Sequence, residues 1–191
     1  MADTDKQRLR RRLRQLRAGM PPSQRADASN AIVGHIIASS LFKHATTVTA
    51  YASLRREVCL DALWPASSPT LLLPRVDGQR LHWHPTHTLP QATGSYGIRE
   101  PAAGALEHDG PVDLWLIPAV GVDNRGMRLG QGGGFYDRAL SGRAGLRVAV
   151  VFACQRVPMV PTEAHDQPID AVVTEDGWWF APGPSQRLAV K

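Results

Sequence analysis

No apolar run in this chain reaches the eighteen or so residues of a membrane-spanning helix, so a helical span is excluded and no membrane partner is expected. Cysteine is nearly missing. Cys59 and Cys154 lie far apart and form no Cys-x-x-Cys pair, which reads as two small buried hydrophobes in a reducing compartment. The first residues, MADTDKQRLRRRLRQLR, carry arginines with no apolar core behind them, which excludes a secretory signal. A cytoplasmic location is therefore expected. Two common phosphate-loop patterns are also missing. Gly-x-x-x-x-Gly-Lys-[Ser/Thr] occurs nowhere, and Gly-x-Gly-x-x-Gly fails because Phe135 stands three beyond Gly132.

What is present is the chain length of one ordinary domain, 191 residues, with a net charge of +5. That charge is concentrated: Lys6, Arg8, Arg10, Arg11, Arg12, Arg14 and Arg17 fall in the first seventeen residues. A locally basic chain seeks anions, which include nucleic acid, a membrane surface or a phosphorylated small molecule. Aromatic residues do not interleave with the basic run and no nucleic-acid motif appears, so no nucleic-acid partner is expected.

Thr4-Asp5-Lys6-Gln7 has the spacing of a capping box, and Leu9, Leu13, Leu16 and Met20 follow at helical spacing until Pro21 and Pro22. On that helix Lys6, Arg10, Arg14 and Arg17 form one stripe beside the leucines, while Arg8, Arg11 and Arg12 point elsewhere. Ser23 can cap a second helix with Ile32, Val33, Ile36, Ile37 and Leu41 on its apolar face. Strands are expected over 46–54, 70–76, 80–84, 113–122, 146–153 and 171–174, with short helices over 58–64 and 136–140. Asp77-Gly78 reads as a hairpin turn, and 85–111 as loop. Alternating strands and helices predict a single-domain layered α/β fold with a largely parallel central sheet flanked by helices.

Residues 128–138, RLGQGGGFYDR, place four glycines in five consecutive positions between two arginines. Each glycine costs folding about 0.5–1 kcal/mol relative to alanine, so a plain turn does not explain four. Successive bare amides can fold round an anion, and Arg128 and Arg138 bring fork-shaped cations to it. Following an apolar strand and preceding a helix, the segment sits where open α/β sheets bind ligands. The physical reading is a phosphate site.

The longer stretch VDNRGMRLGQGGGFYDR resembles the signature of the 5-formyltetrahydrofolate cyclo-ligases, also called 5,10-methenyltetrahydrofolate synthetases. The resemblance runs along nearly the whole chain, through a Lys-x-x-x-Arg helix, a Glu after the first strand, Tyr-Gly-Ile-x-Glu-Pro and a late His-Asp. Phe135 stands where many members carry tyrosine, and Val122 where an aromatic is frequent. The resemblance implies a Rossmann-like (NagB-like) fold and an ATP-dependent cyclisation of 5-formyltetrahydrofolate to 5,10-methenyltetrahydrofolate, by a protein expected to act as a monomer. In that reaction the γ-phosphoryl group passes to the formyl oxygen, N10 attacks the formyl carbon, and phosphate leaves.

Carried over residue by residue, the resemblance assigns ATP to Lys6, Arg10, Arg128, Leu129, Gly130, Gln131, Gly132, Gly133, Gly134, Phe135 and Tyr136. It assigns the folate to Ala52, Glu57, Tyr96, Phe135 and Tyr136, and Mg²⁺ to Asp137 and Asp166. Arg128 and Arg138 would stabilise charge during transfer. Plainer readings stand beside several of these: Asp166 as a turn residue before Pro168, Glu57 as a surface carboxylate, the aromatics as core. His165 reads as a loop histidine, Trp83 as core, and His82, His84 and His87 as unconnected with a metal. A nucleotide-binding module without chemistry is the main alternative.

Overall fold

The computed structural model describes residues 4–65, 68–91, 93–94 and 97–182. Helix α1 (Asp5–Gly19) starts at the expected capping box: the Gln7 N–H donates to Thr4 Oγ1 at 3.3 Å, and the Thr4 N–H to Gln7 Oε1 at 2.7 Å. Helix α2 (Pro22–Ala38) begins on proline, one residue before the expected cap, because a proline's missing N–H is harmless in a first turn. Ser39 caps a separate short helix, α3 (Ser40–His44), through the Phe42 N–H.

The strands and last helix follow as β1 (Thr47–Thr49), β2 (Thr70–Asp77), β3 (Arg80–Pro85), β4 (Leu114–Pro118), β5 (Gly121–Asp123), β6 (Arg128–Leu129), α4 (Phe135–Leu140), β7 (Leu146–Val150), β8 (Arg156–Val157), β9 (Ala171–Thr174) and β10 (Gly177–Phe180). Seven strands make one sheet in the order β10-β9-β7-β4-β1-β2-β3. Its inner neighbours are parallel, and antiparallel β3 and β10 close the two edges. A smaller sheet, β6-β5-β8, stands beside it.

Side chains alternate across the large sheet with period two. Leu71, Leu73, Leu114, Leu116, Val148 and Val150 pack with Ile32, Val33 and Ile36 of α2. Leu72, Trp115, Ile117, Ala149 and Val172 pack on the other face with Trp83 and Leu140 of α4. Trp83 is core as expected, edge-on to Trp115 with centroids 5.4 Å apart. A third cluster ties α1 to the small sheet through Leu13, Val120, Leu129 and Val160. A Cβ at Gly121 would lie 2.4 Å from Leu13 Cδ1, so the bare glycine lets α1 dock closely. Burial of a leucine of this kind stabilises by roughly 1.5–3 kcal/mol.

Several expectations change. β1 ends at Thr49, although the Ala50 N–H still reaches Leu72 O at 2.8 Å. The expected helix over 58–64 is only a single tight turn at Asp61–Leu63. The expected strand 113–122 breaks after Pro118, where the chain leaves the large sheet and Gly121–Asp123 enters the small one. The strand from Leu146 stops at Val150, and β10, not expected, returns through the two-residue link Glu175-Asp176. Leu16 and Ile37 lie at the edges of their apolar stripes and are exposed. Both cysteines are exposed rather than buried: Val58 and Leu60 take the inward positions, which turns Cys59 outward.

The turn before the glycine segment is organised by Asp123, whose side chain is wholly enclosed. It accepts from the Arg125, Met127 and Val160 amides at 2.8, 3.0 and 2.9 Å and from Arg125 Nη2 at 2.7 Å. Burial pushes its carboxyl pKa up, but these donors outweigh it and hold it below the ordinary value. Asp123→Ala should therefore cost about 2–4 kcal/mol in urea unfolding at neutral pH. A lowered folded-state pKa gives stability that is present above the unfolded value and lost as pH falls through the folded one. The gap between parent and variant should thus shrink below about pH 4; a gap constant down to pH 2 would refute this origin.

Candidate functional site

β1 has parallel neighbours on both sides, β2 and β4, and the chain leaves their carboxyl ends in opposite directions. Such a switch point leaves a crevice beyond the strand ends. Tyr51 and Ala52 after β1, and Pro118 at the end of β4, line a cavity of about 710 Å³ there, a size that suits small-molecule ligands. The first turns of α1 supply Lys6 and Arg10 to one wall, the segment from Arg128 to Asp137 supplies another, and Pro74, Val76, Leu81 and Ile98 supply an apolar one.

The four glycines have separate structural reasons. Gly132 and Gly134 have φ of +111° and +66°, a backbone that disfavours side chains. A Cβ at Gly130 would meet Arg128 Nη1 at 2.9 Å, and one at Gly133 would meet the Phe135 ring at 2.9 Å. Among the described residues, no main-chain N–H from Gly130 to Gly134 donates to another group of the protein. The loop's carbonyls, in contrast, are held: Arg10 Nε donates to Gly130 O at 2.8 Å and Arg14 Nη2 to Gln131 O at 3.3 Å.

The cations and carboxylates are paired. Arg128 Nη2 donates to Asp137 Oδ1 at 2.6 Å, and the Arg128 side chain is only 3% exposed. Lys6 Nζ meets Asp166 Oδ2 at 2.7 Å and Glu163 Oε1 at 3.3 Å. Burial raises the Asp166 pKa, but Lys6 and the Glu163 amide overcome it and hold the carboxyl below its usual range. Asp137 Oδ1 also accepts from the Gln167 N–H at 3.3 Å, which brings the two expected metal carboxylates to one side of the cavity. They are hard oxygen donors, and a Mg²⁺ needs only one or two from protein when phosphates complete its shell.

Tyr136 lines the cavity, packed edge-on to Trp83 at 6.2 Å with Arg128 over its ring at 5.9 Å. Burial and the nearby Glu57 push its phenol pKa up, and the same two causes raise that of buried Tyr51. Leu129 and Phe135 also line the cavity. Tyr96 lies outside the described residues. Arg138 departs from expectation. One helical turn past Gly134, it points back over Phe135 and donates to Gln79 O at 2.9 Å and Gly133 O at 2.8 Å, without lining the cavity. It clamps the loop to the β2–β3 turn. His165 is a loop histidine with a largely exposed ring. His82 meets Glu107 at 2.7 Å, and His84 Nδ1 meets the Ala105 and Leu106 carbonyls.

Two features escaped the sequence reading. Arg17 is buried, its Nη1 4.0 Å from Glu57 Oε1, and its pKa is lowered by burial against the pull of that carboxylate. Gln131 bridges Arg14 and Glu57, accepting from the first at 2.6 Å and donating to the second at 3.0 Å. The helical stripe had pointed to Arg14 and Arg17, but nothing local marked their partners.

Residues 2–175 match the 5-formyltetrahydrofolate cyclo-ligase family. The chain is 33% identical to a 5-formyltetrahydrofolate cyclo-ligase of Mycolicibacterium smegmatis, over 91% of this chain and 95% of that one. It is 29% identical to the protein of that name from Escherichia coli K12, over 87% and 98%. Its fold matches the NMR structure of 5,10-methenyltetrahydrofolate synthetase from Aquifex aeolicus with a TM-score of 0.84 and 30% identity, covering 94% of each chain.

Proposed function

The chain belongs to the 5-formyltetrahydrofolate cyclo-ligase family, and on that premise we propose that it uses ATP to close 5-formyltetrahydrofolate into 5,10-methenyltetrahydrofolate, as a monomeric single domain. The observation that carries the reading is the run of amides from Gly130 to Gly134, which donate to no group among the described residues, beside Arg10 and Arg128. Amides fixed in place before the anion arrives stabilise transferring phosphoryl charge without reorganising.

The terminal phosphates of ATP would lie at this end, facing Lys6, Arg10 and Arg128. Mg²⁺, when bound, would be held by Asp137 and Asp166 and would neutralise phosphate charge. The carboxylates that now balance Arg128 and Lys6 would turn to the metal as those cations turn to phosphate, so none of these four side chains would be left without a counter-charge. Arg128 is the residue proposed to stabilise charge in transfer. Arg138 is proposed to act through Gly133 as a positioning residue.

The folate would lie along Ala52, Glu57, Phe135 and Tyr136. Transfer of the γ-phosphoryl group to the formyl oxygen turns a poor leaving group into phosphate. N10 then attacks the formyl carbon from within the same molecule, so the pocket need only fix the conformer.

The direct test mixes the protein with Mg²⁺, ATP and 5-formyltetrahydrofolate and follows the methenyl chromophore, with ADP formed in equal amount. Nucleotide binding without product from folded protein would replace this reading with that of a binding module.

A further inference from the structure

Apart from the carboxylates paired with Lys6 and Arg128, Glu57 and Glu100 line the cavity, and they differ in how far they are used. Glu57 is engaged: Oε2 accepts from the Leu54 N–H at 3.1 Å, and Oε1 from Gln131 Nε2 at 3.0 Å with Arg17 beyond. Glu100 is only 4% exposed and lines the same cavity, yet among the described residues its Oε1 has no hydrogen-bond partner. A buried carboxylate oxygen left without a donor is costly and rare in a folded protein.

The neighbouring cations are committed elsewhere. Arg99 Nη2 donates to both oxygens of Asp61, at 2.7 and 2.8 Å, and Arg75 Nη1 donates to Pro101 O at 2.7 Å. Space for the carboxylate is kept by Gly94, where a Cβ would lie 2.0 Å from Glu100 Oε2. The adjoining wall is Pro74, Val76, Leu81 and Ile98. What suits such a place is a flat, mostly apolar ring that carries N–H donors on one edge. A phosphate would be repelled, and the cations that attract phosphate enter from α1 and the glycine segment instead.

We propose that Glu100 is a specificity-determining residue that accepts hydrogen bonds from the 2-amino group and adjacent ring N–H of the pterin. The proposal rests on the reading of the pocket as a cyclo-ligase site. Glu100 orients the ring and rejects analogues without those donors, because they would leave its carboxylate buried and unpaired.

The test compares binding of 5-formyltetrahydrofolate and its 2-desamino analogue by calorimetry in the parent, Glu100→Ala and Glu100→Gln. The parent should favour the amino compound by about ten- to hundredfold, the worth of hydrogen bonds to a charged acceptor. Glu100→Ala should bind both within about threefold of each other by loss of that discrimination. Glu100→Gln, which keeps an acceptor oxygen but adds an N–H₂, should fall between. Affinity for a non-hydrolysable ATP analogue should stay unchanged in both variants, and their ligand-free melting temperatures should be no lower than the parent's. An active parent whose Glu100→Ala variant still separates the two ligands overturns the role of Glu100 and leaves the cyclo-ligase reading standing. So does a variant that loses nucleotide and folate affinity alike. A folded parent that neither binds nor turns over the folate overturns both.

Discussion

Asp137→Asn should lower kcat by about three orders of magnitude while the protein remains folded. The substitution keeps the shape of the side chain and an oxygen able to accept from Arg128 Nη2 and from the Gln167 N–H. It removes the charge. Two consequences follow from that single loss. Mg²⁺ would lack one of its two proposed carboxylates, and the Arg128 guanidinium, 3% exposed, would lose its counter-charge in the resting protein. The weakened pair should cost about 1–3 kcal/mol of stability, well short of what would explain the activity loss. Circular dichroism and urea unfolding would establish that the variant is folded. Turnover measured across a Mg²⁺ titration would then separate the two effects: more metal should recover part of the rate if ligation is what was lost. A variant with parental kcat and parental Mg²⁺ dependence would remove Asp137 from the metal site.

The second large effect is expected from Lys6→Ala, which should weaken ATP binding by about ten- to hundredfold while the KM for the folate changes by less than about threefold. Lys6 reaches the cavity from the first turn of α1 and is balanced by Asp166 and Glu163 in the absence of ligand. Without it, the proposed phosphate end would lose one cation and keep Asp166 and Glu163, which would then repel the nucleotide. Lys6→Arg should recover much of the affinity, because charge matters here more than reach. Calorimetry with a non-hydrolysable ATP analogue reads the effect directly. An equal loss for nucleotide and folate would instead mean that α1 had shifted on the small sheet, a structural effect rather than a phosphate contact.

Much of this site was legible because its parts are local. The capping box that starts α1 is complete within Thr4–Gln7, and it fixes which turn presents Lys6 and Arg10. The glycine run meets demands at four of five consecutive positions, each set within a few residues of the chain. Arg138 shows where local reading stops. Its place beside the loop was evident, but its direction depends on Gln79, fifty-nine residues away, which accepts its Nε–H. The cysteines show the same limit: alternation in and out around Cys59 is set by which neighbours meet α2 and the sheet.

The amino-acid sequence alone determined the start of α1, the period-two spacing of side chains along the strands, and a run of bare glycine amides. Those follow from backbone freedom and side-chain period, which act over a few residues. Only the tertiary structure decided that Lys6 would meet Asp166, that Arg17 would be buried against Glu57, and that Glu100 would keep an oxygen with no partner among the described residues. Those outcomes depend on the order of strands in the sheet. That order brings the ends of β1 and β4 together with the loop that follows β6, and so sets segments far apart in the chain face to face across one cavity.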